Sequence, residues 1–280
     1  MKKVALVLSS GGARGFAHIG AIEALEERGY EITSIAGTSM GALIGGMYAT
    51  GKLQDVKNWM FSLDKKRIFS LLDVSISLNH IVKGNKIVEA LKEVVPEANI
   101  EDLQIPFCAI ASDLKNSKEV IYNEGSLYDA IRASISVPSL FKPLKLDNMV
   151  LVDGGLINPL PLNRIKRTDG DLLVAVNVSG HSDYFLDELR AKQKGIKLPV
   201  INKQISKNTE VDDNFYTLIT KTISLMIQQN AALSIQLTPP DIIVDIPMNR
   251  YGGFDYDKAE KISRTGKTKM KEAITKYEAK

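Results

Sequence analysis

Residues 35–43 read Ile35-Ala36-Gly37-Thr38-Ser39-Met40-Gly41-Ala42-Leu43, and this stretch decides the fold. The apolar residues before Gly37 predict a strand, and those after Gly41 predict a helix. Between them, Ser39 has a glycine two residues away on each side, which is the Gly-x-Ser-x-Gly spacing of a nucleophile elbow. So abrupt a turn strains the serine backbone and leaves no room for side chains at the flanking positions. An ordinary turn, with Thr38 or Ser39 as N-cap of a buried helix, is the alternative.

Two strand–helix units within the first fifty residues favour a parallel α/β sheet. The first strand is predicted over 4–9, where a continuous apolar run is typical of a strand covered on both faces. Further strands are predicted over 32–36, 107–111, 120–122, 149–152, 172–178 and 242–246. Helices are predicted over 16–28, 40–49, 86–95, 127–134, 215–233 and 257–277. Short helices over 53–82 are interpreted as a cover over one edge of the site, with an ordinary core cluster as the alternative.

The composition excludes several classes of protein. Hydrophobic residues make up 44% of the chain and charged residues 25%, as in a soluble globular protein. The net charge of +3 is too small and too dispersed to indicate nucleic-acid binding. The lone cysteine, Cys108, lies in an apolar run and favours a reducing compartment. We predict no signal peptide and no membrane span, and hence a cytoplasmic protein that is at most peripheral to the inner membrane face.

A glycine-rich loop follows the first predicted strand. Gly11, Gly12 and Gly15 leave backbone N–H groups unshielded where a strand opens onto a helix, which suits an oxyanion hole for the Ser39 nucleophile. A structural turn is one alternative. A dinucleotide cradle is another, although Ser10 stands where that fingerprint needs glycine and no acidic residue ends the second strand. Arg14 is expected to hold neighbouring carbonyls or carboxylates.

The serine also needs a base, and Asp153 is the candidate. It ends a predicted buried strand and is followed by Gly154 and Gly155, which is how a carboxylate is presented at the carboxyl edge of a parallel sheet. A strand-end turn is the alternative. Of the three histidines His18, His80 and His181, only His181 follows the aspartate as the order of a hydrolase triad requires. The placements of serine and aspartate favour a Ser–Asp pair acting without histidine.

Three motifs in this order resemble the patatin-like phospholipase family, and especially its bacterial branch. They are Gly11-Gly12-Ala13-Arg14-Gly15, Gly37-Thr38-Ser39-Met40-Gly41 and Asp153-Gly154-Gly155, supported by residues 130–134, 138–143 and 158–161. The resemblance covers about residues 3–180. It implies a three-layer α/β/α sandwich with a mainly parallel sheet, Ser39 as nucleophile, Asp153 as general base, and an oxyanion hole around Gly11, Gly12, Ala13 and Arg14. The chain departs from the family at Ser10, where glycine is common.

The expected function is that of a serine esterase or lipid acyl hydrolase, of the phospholipase A or lysophospholipase type, acting through an acyl-enzyme with no metal and no cofactor. Lipid transacylation, or low-turnover lipid or protein binding by a regulatory protein, is the alternative. We predict a catalytic core over 1–180, a mobile basic segment over 181–214, and a helix–strand–helix unit over 215–280 on the same domain. The basic segment suggests contact with anionic membrane, with a solvated loop as the competing interpretation.

Overall fold

One mixed sheet of eight strands organises the part of the chain that the structure describes. That structure is a computed structural model, and it describes residues 2–71, 85–138, 141–181 and 215–280. The strands are β1 (Lys2–Leu8), β2 (Tyr30–Thr38), β3 (Phe107–Asp113), β4 (Lys118–Tyr122), β5 (Leu144–Leu146), β6 (Met149–Asp153), β7 (Leu172–Gly180) and β8 (Ile242–Pro247). They lie in the order β5-β6-β3-β2-β1-β7-β8, and β4 also pairs with β3.

The helices connect these strands and cover the sheet. They are α1 (Phe16–Glu27), α2 (Met40–Ala49), α3 (Leu53–Phe61), α4 (Lys65–Leu71), α5 (Asn85–Val94), α6 (Leu127–Ser134), α7 (Phe215–Leu237) and α8 (Ala259–Glu278). Each predicted helix is present, with α7 extending four residues beyond its predicted end.

The centre of the sheet is parallel, as predicted. β1 lies between β2 and β7, and both pair with it in parallel, as β3 does with β2 and β8 with β7. The last five residues of β1 are fully buried, which explains why its sequence is a continuous apolar run. β4, β5 and β6 pair antiparallel. Asp153 does end a strand, β6, but the prediction that this strand is parallel to its neighbours was wrong, because β6 runs antiparallel to β3.

Helices lie on both faces of the sheet, which confirms the predicted α/β class. Side chains of β1 alternate between the two faces, so Leu6 and Leu8 pack into the core formed with α1 and α2, while Val7 packs on the opposite side. Residues of α7 and of the segment 160–165 cover that opposite side.

The C-terminal helix α8 packs directly against α1. A Cβ atom on Gly20 would lie 1.9 Å from the Ser263 carbonyl oxygen, and one on Gly266 would lie 2.0 Å from that of Ala17. The two helices can approach this closely only because glycine occupies both positions. Together with the pairing of β8 on β7, this contact joins residues 242–278 to the same sheet and core.

The predicted basic segment, apart from His181, lies outside the described residues. None of the helices in the described ranges has the length and apolar character needed to cross a membrane.

Candidate active site

Ser39 occupies a strained turn between β2 and α2. Its backbone has φ 57° and ψ −122°, a conformation that residues other than glycine rarely adopt. A Cβ atom on Gly37 would lie 2.4 Å from the Gly41 carbonyl oxygen, and one on Gly41 would lie 2.2 Å from that of Leu8. The Ser39 N–H donates to the Ser134 hydroxyl at 2.8 Å. The turn is therefore the crowded elbow that the glycine spacing predicts.

Strand β3 brings Asp153 next to this serine. One edge of β3 pairs with β4, and β2 and β6 share the other edge. On that shared edge, the last residue of β2, Thr38, lies opposite Ile110. The last residue of β6, Asp153, lies opposite Ala111. Two successive residues of β3 thus place Thr38, the neighbour of Ser39, beside Asp153. Thr38 and Asp153 are 115 positions apart in the chain.

The Asp153 carboxylate is buried beside the serine. Its Oδ1 accepts from the Gly155 N–H at 2.7 Å, and the Ser39 side chain acts on its pKa as a hydrogen-bond donor. Burial raises the pKa of Asp153 to about 6, and the two hydrogen bonds partly oppose this shift because they stabilise the charged form. A carboxylate with this pKa is a stronger base than one in water and is still ionised at neutral pH.

The glycine loop lies beside these residues, but its four backbone N–H groups are not equivalent. The Ala13 N–H donates to the Gly253 carbonyl at 2.9 Å, and the Arg14 N–H donates to Gly11 at 3.3 Å. No backbone hydrogen bond of the described residues has the N–H of Gly11 or Gly12 as its donor. Both glycines line the pocket that contains Ser39. The geometry therefore favours Gly11 and Gly12 as oxyanion donors over the other two residues.

The side chain of Arg14 fixes the loop. Its Nε donates to the Val178 carbonyl at 2.9 Å, and Nη1 donates to that of Met248 at 3.4 Å. Burial lowers the pKa of Arg14 to about 10, so the guanidinium remains charged at neutral pH. The expectation that this residue holds neighbouring carbonyls agrees with these contacts.

Ser39 and Asp153 open into a largely apolar pocket of about 270 Å³. Its apolar walls come from six separate segments, and they comprise Met40, Leu43, Ile87, Ile135, Val137, Pro138, Phe141, Leu156, Ile223, Ile227, Phe254 and Tyr256. Residues of α3 and α4 line a smaller apolar cavity that shares Met40, Ile87 and Tyr256 with this pocket. A long hydrocarbon chain is the kind of ligand that such walls accommodate.

Sequence reasoning missed the contribution of residues 253–256. The Gly253 carbonyl accepts from the glycine loop, Phe254 is 58% exposed at the pocket, and the Tyr256 ring packs edge-on against Phe16 at 6.1 Å. Burial raises the pKa of Tyr256 to about 12, so this phenol is neutral. The pair Gly252-Gly253 was the available signal for a tight loop, but nothing in it indicated which part of the fold the loop would contact.

No histidine of the described residues lines the pocket. His18 is fully buried in α1, where its Nε2–H donates to the Ser9 carbonyl at 2.9 Å. Burial lowers the pKa of His18 to about 4, which makes it neutral. His181 follows β7 outside the pocket lining, and His80 lies outside the described residues. The geometry thus favours the Ser–Asp pair over a triad that includes His181.

The sheet and the elbow define an α/β protein built around a pocket at a strand-to-helix turn. The chain belongs to the patatin-like phospholipase family, whose sequence model matches residues 6–164. This match confirms the resemblance drawn from the motifs. An uncharacterized NTE family protein of Mycobacterium tuberculosis is 47% identical over 178 residues, which are 64% of this chain and 49% of that protein. The chain therefore spans about half the length of such relatives.

Two further likenesses extend over almost the whole chain. Lysophospholipase NTE1 of Pyricularia oryzae is 28% identical over 272 residues, which are 95% of this chain and 18% of that protein. The crystal structure of VipD from Legionella pneumophila aligns with a TM-score of 0.51 and 14% identity, and covers 99% of this chain and 67% of VipD. The second likeness shows the fold alone.

Proposed function

We propose that the chain is a serine esterase that hydrolyses lipid acyl esters through a Ser39–Asp153 dyad. The observation that carries this proposal is that Ser39, on a strained turn, and the buried Asp153 carboxylate line the same apolar pocket, where the Ser39 side chain lowers the pKa of that carboxyl. The name of the Pyricularia relative supports a lysophospholipid as substrate, and the description of the family supports a phospholipid. The apolar walls fit the acyl chain of either substrate.

The reaction begins when Asp153 removes the proton of the Ser39 hydroxyl as Oγ attacks the ester carbonyl. The N–H groups of Gly11 and Gly12 then stabilise the negative oxygen, and each donor contributes about 3 kcal/mol to the transition state. Collapse of the tetrahedral intermediate transfers the proton from Asp153 to the leaving alcohol or lysolipid. An acyl-Ser39 ester remains, and the same carboxylate activates the water that hydrolyses it.

The first test compares the wild type with Ser39→Ala and Asp153→Asn. A fluorophosphonate probe reports the nucleophile, and p-nitrophenyl butyrate reports turnover. We expect no labelling in Ser39→Ala, and a loss of kcat of at least about a hundredfold in Asp153→Asn because the general base is removed. Labelling that persists in Ser39→Ala, or full turnover in Asp153→Asn, would reject the dyad.

His181→Ala is the control that separates the dyad from a triad. His181 has the correct order in the sequence for a triad but does not line the pocket. We expect this variant to keep wild-type activity. Loss of turnover in His181→Ala, with the protein still folded, would favour the triad.

We also propose that the protein contacts a membrane surface peripherally through α7. One face of this helix lines the pocket with Ile223 and Ile227. Its opposite face exposes large apolar side chains, namely Leu218 (56%), Leu225 (57%), Met226 (44%), Leu233 (50%) and Leu237 (75%). An exposed apolar stripe beside the pocket supports entry of the substrate from a lipid surface.

A further inference from the structure

Ser10 carries a buried hydroxyl that makes no hydrogen bond within the described part of the protein. The residue is 2% exposed, and both of its backbone polar groups are engaged. Its N–H donates to the Pro159 carbonyl at 2.9 Å, and its carbonyl accepts from the hydroxyls of Ser9 at 3.1 Å and Ser179 at 3.0 Å. A buried polar group without a partner costs stability, so its presence requires an explanation.

This hydroxyl lies beside the Asp153 carboxylate. Five buried side-chain atoms of the described residues lack a hydrogen-bond partner, and among their residues only Ser10 lines the pocket. A Cβ atom on Gly155 would lie 2.9 Å from Ser10 Oγ and 2.9 Å from Asp153 Oδ1. The two oxygens therefore flank the same face of Gly155 and are separated by no more than twice that distance. Glycine places no side chain between them.

The proposed function creates a need for a second hydroxyl at this position. In the resting enzyme, the Gly155 N–H donates to the carboxylate, and the Ser39 side chain stabilises its charged form as a second donor. After acylation, Ser39 Oγ is an ester oxygen and has no proton to donate. Asp153 must nevertheless remain ionised in a buried site, because only the carboxylate can accept a proton from water.

We propose that Ser10 is the positioning residue of deacylation. Its hydroxyl rotates about the Cα–Cβ bond and donates to Asp153 when Ser39 is acylated, which replaces the lost donor. The carboxylate takes a proton from water while the water oxygen bonds to the acyl carbon. When the tetrahedral intermediate collapses, the bond from carbon to Ser39 Oγ breaks, Asp153 returns the proton to that oxygen, and a carboxylic acid leaves. This inference rests on the proposed function.

Ser10→Ala tests the proposal by separating acylation from deacylation. We expect kcat for p-nitrophenyl butyrate to fall about tenfold, since one hydrogen bond to a charged group is lost, whereas kcat/KM changes by less than about twofold. A burst of p-nitrophenol equal to the enzyme concentration should appear as the acyl-enzyme accumulates. The acid limb of the kcat profile should move to higher pH, because a carboxylate with fewer donors is protonated more readily.

Ser112→Ala is the matched control, because Ser112 is 1% exposed and its hydroxyl also has no partner among the described residues, but it does not line the pocket. We expect its kinetics to match those of the wild type. If Ser10→Ala fails to fold, Ser10→Gly removes the same hydroxyl and should show the same burst and pH shift. A folded Ser10 variant with a changed melting temperature but the burst and pH profile of the wild type would overturn the proposal.

The outcomes for the wild type separate this inference from the proposed function. A wild type that neither reacts with the fluorophosphonate probe nor hydrolyses the ester refutes the proposed function, and the role of Ser10 with it. A wild type that does both, beside a Ser10→Ala variant with identical kinetics, refutes the role of Ser10 alone.

Discussion

The backbone of Ser39 keeps its positive φ because its neighbours leave it no alternative. The carbonyl of Gly41 approaches Gly37, and the carbonyl of Leu8 approaches Gly41, at distances that exclude a Cβ atom on either glycine. The flanking glycines of the motif are thus required by the path of the chain around the serine. Their role is steric, so it can be tested without any measurement of activity.

Gly41→Ala should destabilise the fold strongly. Its Cβ atom would lie 2.2 Å from a backbone oxygen of β1, which can move only if the sheet moves, so we expect a cost of about 3 kcal/mol. Gly29→Ala is the control, because Gly29 has φ +73° but nothing within 4 Å of the added atom, and the expected cost is about 1 kcal/mol. Urea unfolding measures both. Equal costs would show that crowding at the elbow is not decisive.

The pKa of Asp153 predicts the pH dependence of activity. Since burial raises this pKa to about 6 and the proposed base must be ionised, kcat/KM should fall tenfold per pH unit below about pH 6. A pH series with p-nitrophenyl butyrate measures this limb. A limb near pH 4, the ordinary range of a carboxyl group, would mean that the site is wetter than the structure shows.

The raised pKa of Asp153 makes stability fall as the pH rises, whereas it makes activity fall as the pH decreases. The folded protein binds the proton of Asp153 more tightly than the unfolded chain, whose carboxyl has a pKa of about 4. The stabilising contribution of this group is therefore complete below about pH 4 and is lost as the pH rises through about 6. Asp153→Asn should raise the melting temperature relative to the wild type at pH 8 but not at pH 4.

Individual site residues were predictable from the sequence where the sterics of a few neighbouring residues determine the backbone conformation. Ser39 and the glycines of the elbow follow from sterics within a few residues. The choice among the loop N–H groups could not be predicted, because it depends on the Gly253 carbonyl, which accepts from Ala13 across 240 positions of the chain. The environment of Ser10 likewise depends on Pro159 and Ser179, which are distant in sequence.

At the scale of elements, the central strands were predictable because burial on both faces leaves a continuous apolar run. β1, β3 and β7 have this pattern, whereas β2 has it only in its second half, after Glu31, Thr33 and Ser34. The three-residue strand β5 was missed because Leu144-Lys145-Leu146 is too short to show a period. Nor does an apolar run give its direction, so the antiparallel course of β6 appears only in the pairing with β3.

β3 shows how elements bring distant residues together. Its shared edge holds the end of β2 and the end of β6 at adjacent positions, so the separation of Ser39 and Asp153 is set by the spacing of one strand. The sequence motifs identified both residues but contained no information on this arrangement. A serine and a carboxylate mounted on a shared sheet edge are also held more rigidly than two residues on loops.

At the scale of the whole molecule, α7 connects the pocket with the protein surface. Its polar side chains fix it to the body of the protein, since Gln228 donates to the Gly180 carbonyl at 3.1 Å and Asn230 to that of Leu156 at 2.9 Å. Lys221 is the one charged residue in the helix sequence. A docked helix that exposes several leucines beside few charges is unusual in contact with water, but it suits the proposed boundary between a lipid surface and the pocket.

Replacing apolar residues on the outer face of α7 should weaken membrane contact without changing the chemistry. Burying a half-exposed leucine in lipid contributes about 1 kcal/mol, so Leu225→Glu with Leu233→Glu should reduce sedimentation with phosphatidylcholine vesicles more than tenfold. The control carries the same added charge at the exposed positions Gln229 and Gln236, both changed to Glu. Both variants should hydrolyse soluble p-nitrophenyl butyrate as the wild type does, because none of the four side chains lines the pocket. Wild-type vesicle binding by the variant with both leucines changed would remove α7 as the contact surface, and an equal loss in the control would attribute the effect to charge on this face and not to the lost leucines.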